Sequence, residues 1–330
     1  SILKMIPGLS QLKDVNIDDK EFNKIEAIIC SMTMEERQNP KLLNASLSAA
    51  VKHPDKMILN CSLNKPHRYI RTYYARMYEA KFIIGAIAGT LAENGKIGYL
   101  CDYPIYGQIA GINAFALGVQ MVNPRAKIYL EWSCLDGVHE ALCRSGGQAI
   151  YLKNSQDLSQ NSDNEKKPFG LFRFDKNNLV NLAMPIWHWG IYYEKLIHSI
   201  LNRTMQLQYE SSNKALNYYW GMSAGVIELI YSKNLPNGVR KLAQLLESTI
   251  SSGIYNPFCG PLKNQSGEYI DMEGKGLPLE SVITMDWLLE NIVGTIPEYE
   301  LLSRDGKATV ESAGAPAIHG GITNENSGNC

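Results

Sequence analysis

The sequence predicts an α/β fold of two lobes, each a parallel sheet flanked by helices. Three observations carry that prediction. Short apolar runs of strand length alternate with helical stretches, the pattern that yields parallel sheets. A chain of 330 residues is long for one core. Two breaks, at Asn94-Gly95 and near Ala183-Met184-Pro185, read as crossings between lobes.

In chain order, residues 1–23 are weakly patterned. Glu26–Cys30 reads as a short strand. Asn39-Pro40 opens a helix over Lys41–Lys52, with Leu43, Leu47, Ala50 and Val51 as its apolar stripe. Lys56–Leu59 is the next strand, closing on Asn60, Cys61 and Ser62, and Tyr69–Tyr74 alternates as a strand does. Tyr78–Glu93 is a helix dense in Ala and Gly, which permits close packing on a sheet. Gly95 is expected in the left-handed conformation at its end.

Lys96–Trp132 is the best-patterned stretch. Lys96–Cys101 is an apolar strand closing on Asp102. Ile109, Ile112, Phe115, Ala116, Val119 and Val122 recur at helical spacing, and Asn123-Pro124 stops that helix. Ala126–Trp132 is a second strand. Two strands joined by one helix run parallel with a right-handed crossover. Ligands of such sheets sit beyond the carboxyl ends of the strands. Those ends carry Asp102, Tyr103, Tyr106 and Trp132.

Beyond it, Asp136–Arg144 reads as a helix, Gln148–Leu152 as a strand and residues 154–167 as a polar surface loop. Phe169–Phe174 is a strand, Leu179–Ile186 is extended and Ile191–Asn202 is a helix. Ala215–Ile230 reads as strand and turn around Gly221 and Gly225, followed by a helix from near Pro236 to Gly253. A short helix is expected near Met285–Ile292, and the tail from Arg304 reads as irregular.

Composition excludes several function classes. With 45% hydrophobic and 20% charged residues the chain fits a globular protein rather than a disordered one. Basic and acidic residues number 32 and 33, so no basic face calls for nucleic acid. No apolar run reaches the roughly 18–20 residues of a membrane span. The start, SILKMIPGLSQLKD, lacks the pattern of a signal peptide and has no initiator Met, so the chain is expected to be a piece of something longer. The seven cysteines are expected to be reduced and mostly buried. No metal-ligand spacing, nucleophile elbow, P-loop or dinucleotide fingerprint occurs, so no metal, no cofactor and no catalysis are expected.

The run Arg71–Gly89 (RTYYARMYEAKFIIGAIAG), then KIGYL, then GINAFALGVQMVNPRAKIYLEW resembles the basic membrane protein family. These are purine-nucleoside-receptor-like substrate-binding proteins of ABC importers. LPNGVRKLAQLLESTISSGIYNPF is similar to the family's last helix and exit strand, and the resemblance covers about Ala27 to Leu262. It implies the type I periplasmic-binding-protein fold. On that frame lobe I holds 1–94 plus about 187–220, lobe II holds 96–182 plus about 225–262, and 263–330 is a C-terminal extension. Lobe I lacks the family's first strand–helix unit, although Asp19–Asn23 (DKEFN) is similar to its ligand loop. A missing segment, another domain or a partner copy is expected to cover that sheet edge. The family's Asp pair is replaced by Phe172-Arg173-Phe174, and its ligand-contacting Lys by Trp187.

The resemblance implies a non-catalytic protein that closes by hinge motion on a nucleoside-like or other aromatic ligand in the interlobe cleft. Tyr103 and Tyr106 offer aromatic faces for stacking, or cover the helix end. Asp102 can accept ligand hydroxyls, or cap the helix. Trp132, Phe172 and Trp187 are further aromatic candidates. Arg173 pairs with an anionic group of the ligand or with Asp175. Asn60 and Ser62 are polar candidates on lobe I. The implied partner is an ABC permease and the implied location extracytoplasmic. The alternative is a sensory or regulatory ligand-binding domain of a larger cytoplasmic protein.

Overall fold

The computed structural model describes residues 58–61, 70–135, 150–153, 169–175, 178–202 and 216–313. The expected strand 26–30, the helices 41–52 and 136–144, the loop Asp19–Asn23 and Ser62 lie outside the described residues, as does any unit ahead of the first strand. The chain divides into two units. Unit 1 is Ser1–Arg76 with Ile186–Glu228, and unit 2 is Met77–Pro185 with Leu229–Cys330. The helix expected over Tyr78–Glu93, placed in lobe I, therefore groups with unit 2, whereas the helix after Trp189 groups with unit 1.

In unit 1, β1 (Ile58–Cys61), β2 (Ile70–Ala75) and β8 (Leu216–Trp220) form a parallel sheet in the order β1-β2-β8. Helix α3 (Trp189–Leu201) buries Tyr192, Leu196 and Ile197. Tyr192 anchors it: its hydroxyl donates to the Tyr74 carbonyl at 3.4 Å and its ring lies 4.7 Å from that of Trp220.

Unit 2 is built on α1 (Met77–Leu91), β3 (Lys96–Cys101), α2 (Gln108–Val122) and β4 (Lys127–Trp132). Strand β3 is buried from Ile97 to Cys101, because both faces of a parallel sheet are covered. It pairs parallel with β4 from Lys96↔Lys127 to Cys101↔Trp132, so the two strands end level. Parallel β5 (Ile150–Lys153) lies on its other side. One strand departs from the all-parallel expectation. β6 (Gly170–Asp175) runs antiparallel to β5 and to β7 (Asn178–Trp187), so the sheet is mixed. With β9 (Ile227–Tyr231) and β12 (Ile292–Val293) the order is β12-β4-β3-β5-β6-β7-β9, while β10 (Leu262–Lys263) and β11 (Tyr269–Ile270) form a separate antiparallel pair. The short polar stretch between β6 and β7 permits a hairpin where a parallel pair would need a long crossover.

The small residues of α1 serve a different contact from the one expected. Rather than seating the helix on the sheet, they bring it against α2. A Cβ on Gly85 would fall 2.0 Å from the Phe115 carbonyl oxygen, and one on Gly118 1.9 Å from that of Phe82. Each helix thus receives the other's backbone at a glycine. Helix α4 (Asn237–Ser251) shows Val239, Ala243, Leu246 and Ile250 to the core at helical spacing. Gly95 takes φ 66° after α1, as expected.

The C-terminal stretch is not an appendage. β12 is an edge strand of the main sheet, parallel to β4. Asn113 of α2, fully buried, donates to the Trp287 carbonyl at 2.7 Å and accepts the Leu289 N–H at 3.0 Å. Asn291 donates to the Ala116 carbonyl at 3.0 Å. The expected helix at 285–292 is replaced by α5 (Leu279–Ile283) and β12, because backbone groups of residues 287–291 bond to Asn113 of α2, to Lys263 and Gln265, and to Ile128 of β4. The first part of the tail expected to be irregular forms α6 (Arg304–Ala313), and residues 314–330 lie outside the described residues.

The glycine contact predicts Gly118→Ala to cost about 1–3 kcal/mol or more, as overpacking does. Gly238→Ala, with nothing within 4 Å of its Cβ position, is expected neutral or stabilising by up to about 1 kcal/mol. Urea unfolding of both variants checks this, and equal stabilities would refute it.

Candidate functional site

Level ends of β3 and β4 place two loops side by side. The Ser133 N–H donates to the Cys101 carbonyl at 2.8 Å, and its hydroxyl donates to Asp102 Oδ1 at 3.3 Å. Asp102 is 4% exposed. It does not cap α2: that place is Gly107, with φ 79° and no side-chain bond. Tyr103 and Tyr106 are half-buried in the intervening loop. Partial burial raises the Tyr106 hydroxyl above its ordinary pKa.

Beneath Asp102 lies a group of ionisable side chains that the strand and helix patterns conceal. Lys81 of α1 is 4% exposed, and its Nζ lies 5.8 Å from the Tyr99 ring centroid. Burial lowers its pKa to about 8, against the opposing pull of Cys101 and Asp102. Tyr99 is fully buried and its hydroxyl has no hydrogen-bond partner among the described residues. Its pKa is pushed well up, mainly by burial and further by Cys101 and Asp102. Cys134, after β4, is raised to about 12, again chiefly by burial, with Asp102 adding to it. A lone Lys in the apolar run after Tyr78 was the available signal for this cluster.

The other candidates are placed differently. Trp132 is 3% exposed and its Nε1 donates to the Thr295 carbonyl at 2.8 Å, so the C-terminal stretch holds its indole. Phe172 is 2% exposed and stacks on Tyr151. Phe172 and Arg173 stand in mid-strand rather than at a strand end, Arg173 opposite Ile150 and Val180. Trp187 ends β7 in unit 1, stacked on Trp189 at 6.4 Å, with its indole N–H buried and without a hydrogen-bond partner among the described residues. Asn60 is in β1. The structure therefore brings Asp102 and Ser133 together, with Tyr103 and Tyr106 half-buried in the loop that follows Asp102. Trp132 is nearby but engaged elsewhere, and Phe172 is core.

No group of three metal-ligating side chains occurs among the described residues. Cys101 and Cys134 are buried thiols as expected, whereas Cys259 is exposed. A cavity of 260 Å³ opens near the C-terminal stretch, lined in part by Asn264, Gln265, Asp286, Trp287 and Thr295. Its amides are bonded internally: Gln265 donates to the Ile292 and Gly294 carbonyls, each at 2.9 Å.

Comparison with known proteins finds two stretches that match family models. Residues 41–134, which hold the strand-end site, match ABC transporter substrate-binding protein PnrA-like. Over this stretch the chain is similar to the PnrA-like family. The resemblance read from residues 71–132 is thereby borne out. A purine-binding protein of Brucella abortus is 27% identical over 272 residues, covering 78% of this chain and 74% of that protein. An ABC solute-binding protein from Aeropyrum pernix aligns with TM-score 0.42 and 12% identity over 68% of this chain and 81% of its own.

Residues 1–51 match a second family, Signal peptide binding domain. The signal recognition particle protein of Aquifex aeolicus is 61% identical over 46 residues, which is 14% of this chain and 10% of that protein. Sequence patterning gave no sign of this boundary, because helix periodicity through 41–52 runs across both matches. No helix among the described residues is long and apolar enough to cross a membrane.

Lys81 predicts a pH dependence. In the unfolded chain its amine holds a proton up to 10.5, and in the folded chain to about 8. Between those values the unfolded state binds more protons, so raising the pH stabilises the fold. Below 8 the destabilisation is fully present. Cys134 opposes the gain from about 9 upward, since its unfolded thiol ionises first. Stability is thus expected to rise by about 1 kcal/mol from pH 8 to 9. Lys81→Met should lose that rise. Urea unfolding at both pH values checks it, and an unchanged slope in the variant would count against it.

Proposed function

We propose that this chain is a substrate-binding component of an ABC importer and that its ligand is a purine or purine nucleoside. The alignment to the purine-binding protein over 272 residues carries the reading. The likeness of residues 41–134 to the PnrA-like family supports the importer role, with a permease as partner and a location outside the cytoplasm.

The local chemistry is compatible. Tyr103 and Tyr106 are half-buried on one loop at a strand end, where a planar base would find aromatic area. Asp102 and Ser133 supply an acceptor and a hydroxyl beside them. The reading is non-catalytic: binding and release need no nucleophile or cofactor. None of these observations favours the sensory or regulatory alternative.

Calorimetry with adenine, adenosine, guanosine and glucose tests the proposal. Purines are expected to bind and glucose not. Tyr103→Ala with Tyr106→Ala should weaken purine binding about tenfold, near 1.4 kcal/mol. Binding of glucose in place of purines would sink the ligand assignment.

A second reading concerns residues 1–51 alone. We infer that this segment binds an apolar signal-peptide helix, on the strength of its family match and the 61% identity. A photo-crosslinking signal peptide should label the full chain within residues 1–51. Labelling confined to later residues would refute this.

A further inference from the structure

Unit 1 carries an aromatic surface that the proposed function does not use. Trp187 ends β7 and Trp189 opens α3. Their ring centroids lie 6.4 Å apart, and the ring planes are within 7° of parallel. Tyr193, one turn along α3, extends the surface: its ring lies 6.3 Å from that of Trp189, at 24°. All three side chains are half-buried, so part of each remains open. Gly190 keeps the first turn of α3 clear, with nothing within 4 Å of its Cβ position. The rings are also held in place. The His188 N–H donates to the Val226 carbonyl at 2.9 Å, and the Tyr192 N–H to the His188 carbonyl at 3.1 Å, which fixes the backbone between the indoles. Trp189 packs on Tyr192 with centroids 5.7 Å apart, and Tyr192 packs on Trp220 at 4.7 Å. Rings already ordered in the free protein cost little to engage.

Trp187 adds a polar feature that packing alone does not explain. A buried indole N–H ordinarily finds a partner, as that of Trp132 does at the Thr295 carbonyl, 2.8 Å away. Trp187 Nε1 is buried and has no hydrogen-bond partner among the described residues. An unpaired buried donor is costly, so its retention needs a reason. The near-parallel rings offer one. A flat ring stacked on Trp189 and Tyr193 lies nearly parallel to the Trp187 plane, and the indole N–H points within that plane. One flat ligand is then stacked by two side chains and met at its edge by the third.

From these observations we propose that unit 1 binds the purine base through Trp189 and Tyr193, which stack on it, and through Trp187 Nε1, which donates a hydrogen bond to one of its ring nitrogens. This assignment rests on the purine reading and deepens it by naming the group that selects the heterocycle. Aromatic area takes any flat ring, because every such ring has a π-face. The indole N–H is selective, because it favours only rings that carry an acceptor at the edge. A purine carries such acceptors at N1, N3 and N7, and replacing the nitrogen that Trp187 meets by C–H removes the bond while keeping the shape.

The test is calorimetry of the full chain with adenine and its 1-deaza, 3-deaza and 7-deaza analogues, for wild type, Trp187→Phe and Tyr193→Ala. Trp187→Phe keeps an aromatic ring and removes the N–H. It should bind adenine about fivefold more weakly than wild type does. For one deaza analogue, the one lacking the acceptor, wild type and Trp187→Phe should bind equally, which a merely structural role for the indole would not produce. Tyr193→Ala should weaken adenine and all three analogues alike, by about fivefold or more. Without ligand, the Tm of Trp187→Phe should equal or exceed that of wild type, since an unpaired buried donor has been removed. If Trp187→Phe weakens adenine and every analogue by the same factor, or weakens none, the inference is overturned and the purine reading stands. Unchanged affinity in Tyr193→Ala overturns the stacking assignment in the same way. A wild-type protein that binds none of the four compounds overturns both the inference and the purine reading.

Discussion

The reciprocal glycine contact between α1 and α2 is the constraint on which unit 2 depends. Gly85 receives the Phe115 carbonyl and Gly118 receives that of Phe82, so the helices meet backbone to backbone. That closeness leaves no layer of side chains between them. It lets one face of α1 carry Phe82 and Ile83 into the core while Lys81 passes beside Gly111. A larger residue at either glycine would separate the helices and displace everything that α1 places under β3.

The second constraint is register. β3 and β4 end level because Cys101 pairs with Trp132. Only then does Ser133 reach both the Cys101 carbonyl and the Asp102 carboxylate. The C-terminal stretch secures this geometry from outside, since β12 covers β4 and Asn113 ties residues 287 and 289 to α2. Buried charged groups such as Asp102 and Lys81 are stable in so dry a place only when their surroundings are fixed, because any slack would leave a charge without compensation. The rigidity of the scaffold and the chemistry of the strand end are therefore one problem.

Much of the architecture was legible in the sequence. Periodicity located β3, α2 and β4 within a residue or two, and Gly95 announced its own left-handed turn. Asp102, Tyr103 and Tyr106 were legible as strand-end residues because a parallel strand–helix–strand unit has one loop face. The roles of Trp132 and Phe172 were not. Whether an indole at a strand end is open or engaged depends on Thr295, which is 163 residues away, and mid-strand Phe172 became core through the antiparallel turn of β6. Lys81 was invisible for a similar reason: helical spacing says which face a residue occupies, not what charge waits opposite.

By itself, the sequence determined the alternation of strands and helices, the strand-end loop of unit 2 and the PnrA-like character of its best-patterned stretch. The first two follow from local propensity and short-range periodicity, which the chain writes residue by residue; the third rests on the likeness of residues 71–132 to a known family. Tertiary structure decided the mixed direction of the sheet, the incorporation of residues 285–293 and the burial of Lys81 against the Tyr99 ring. Each of these joins groups far apart in the chain, and their energies come from burial and from pairing inside a dry core. A pattern read along the chain carries no such term.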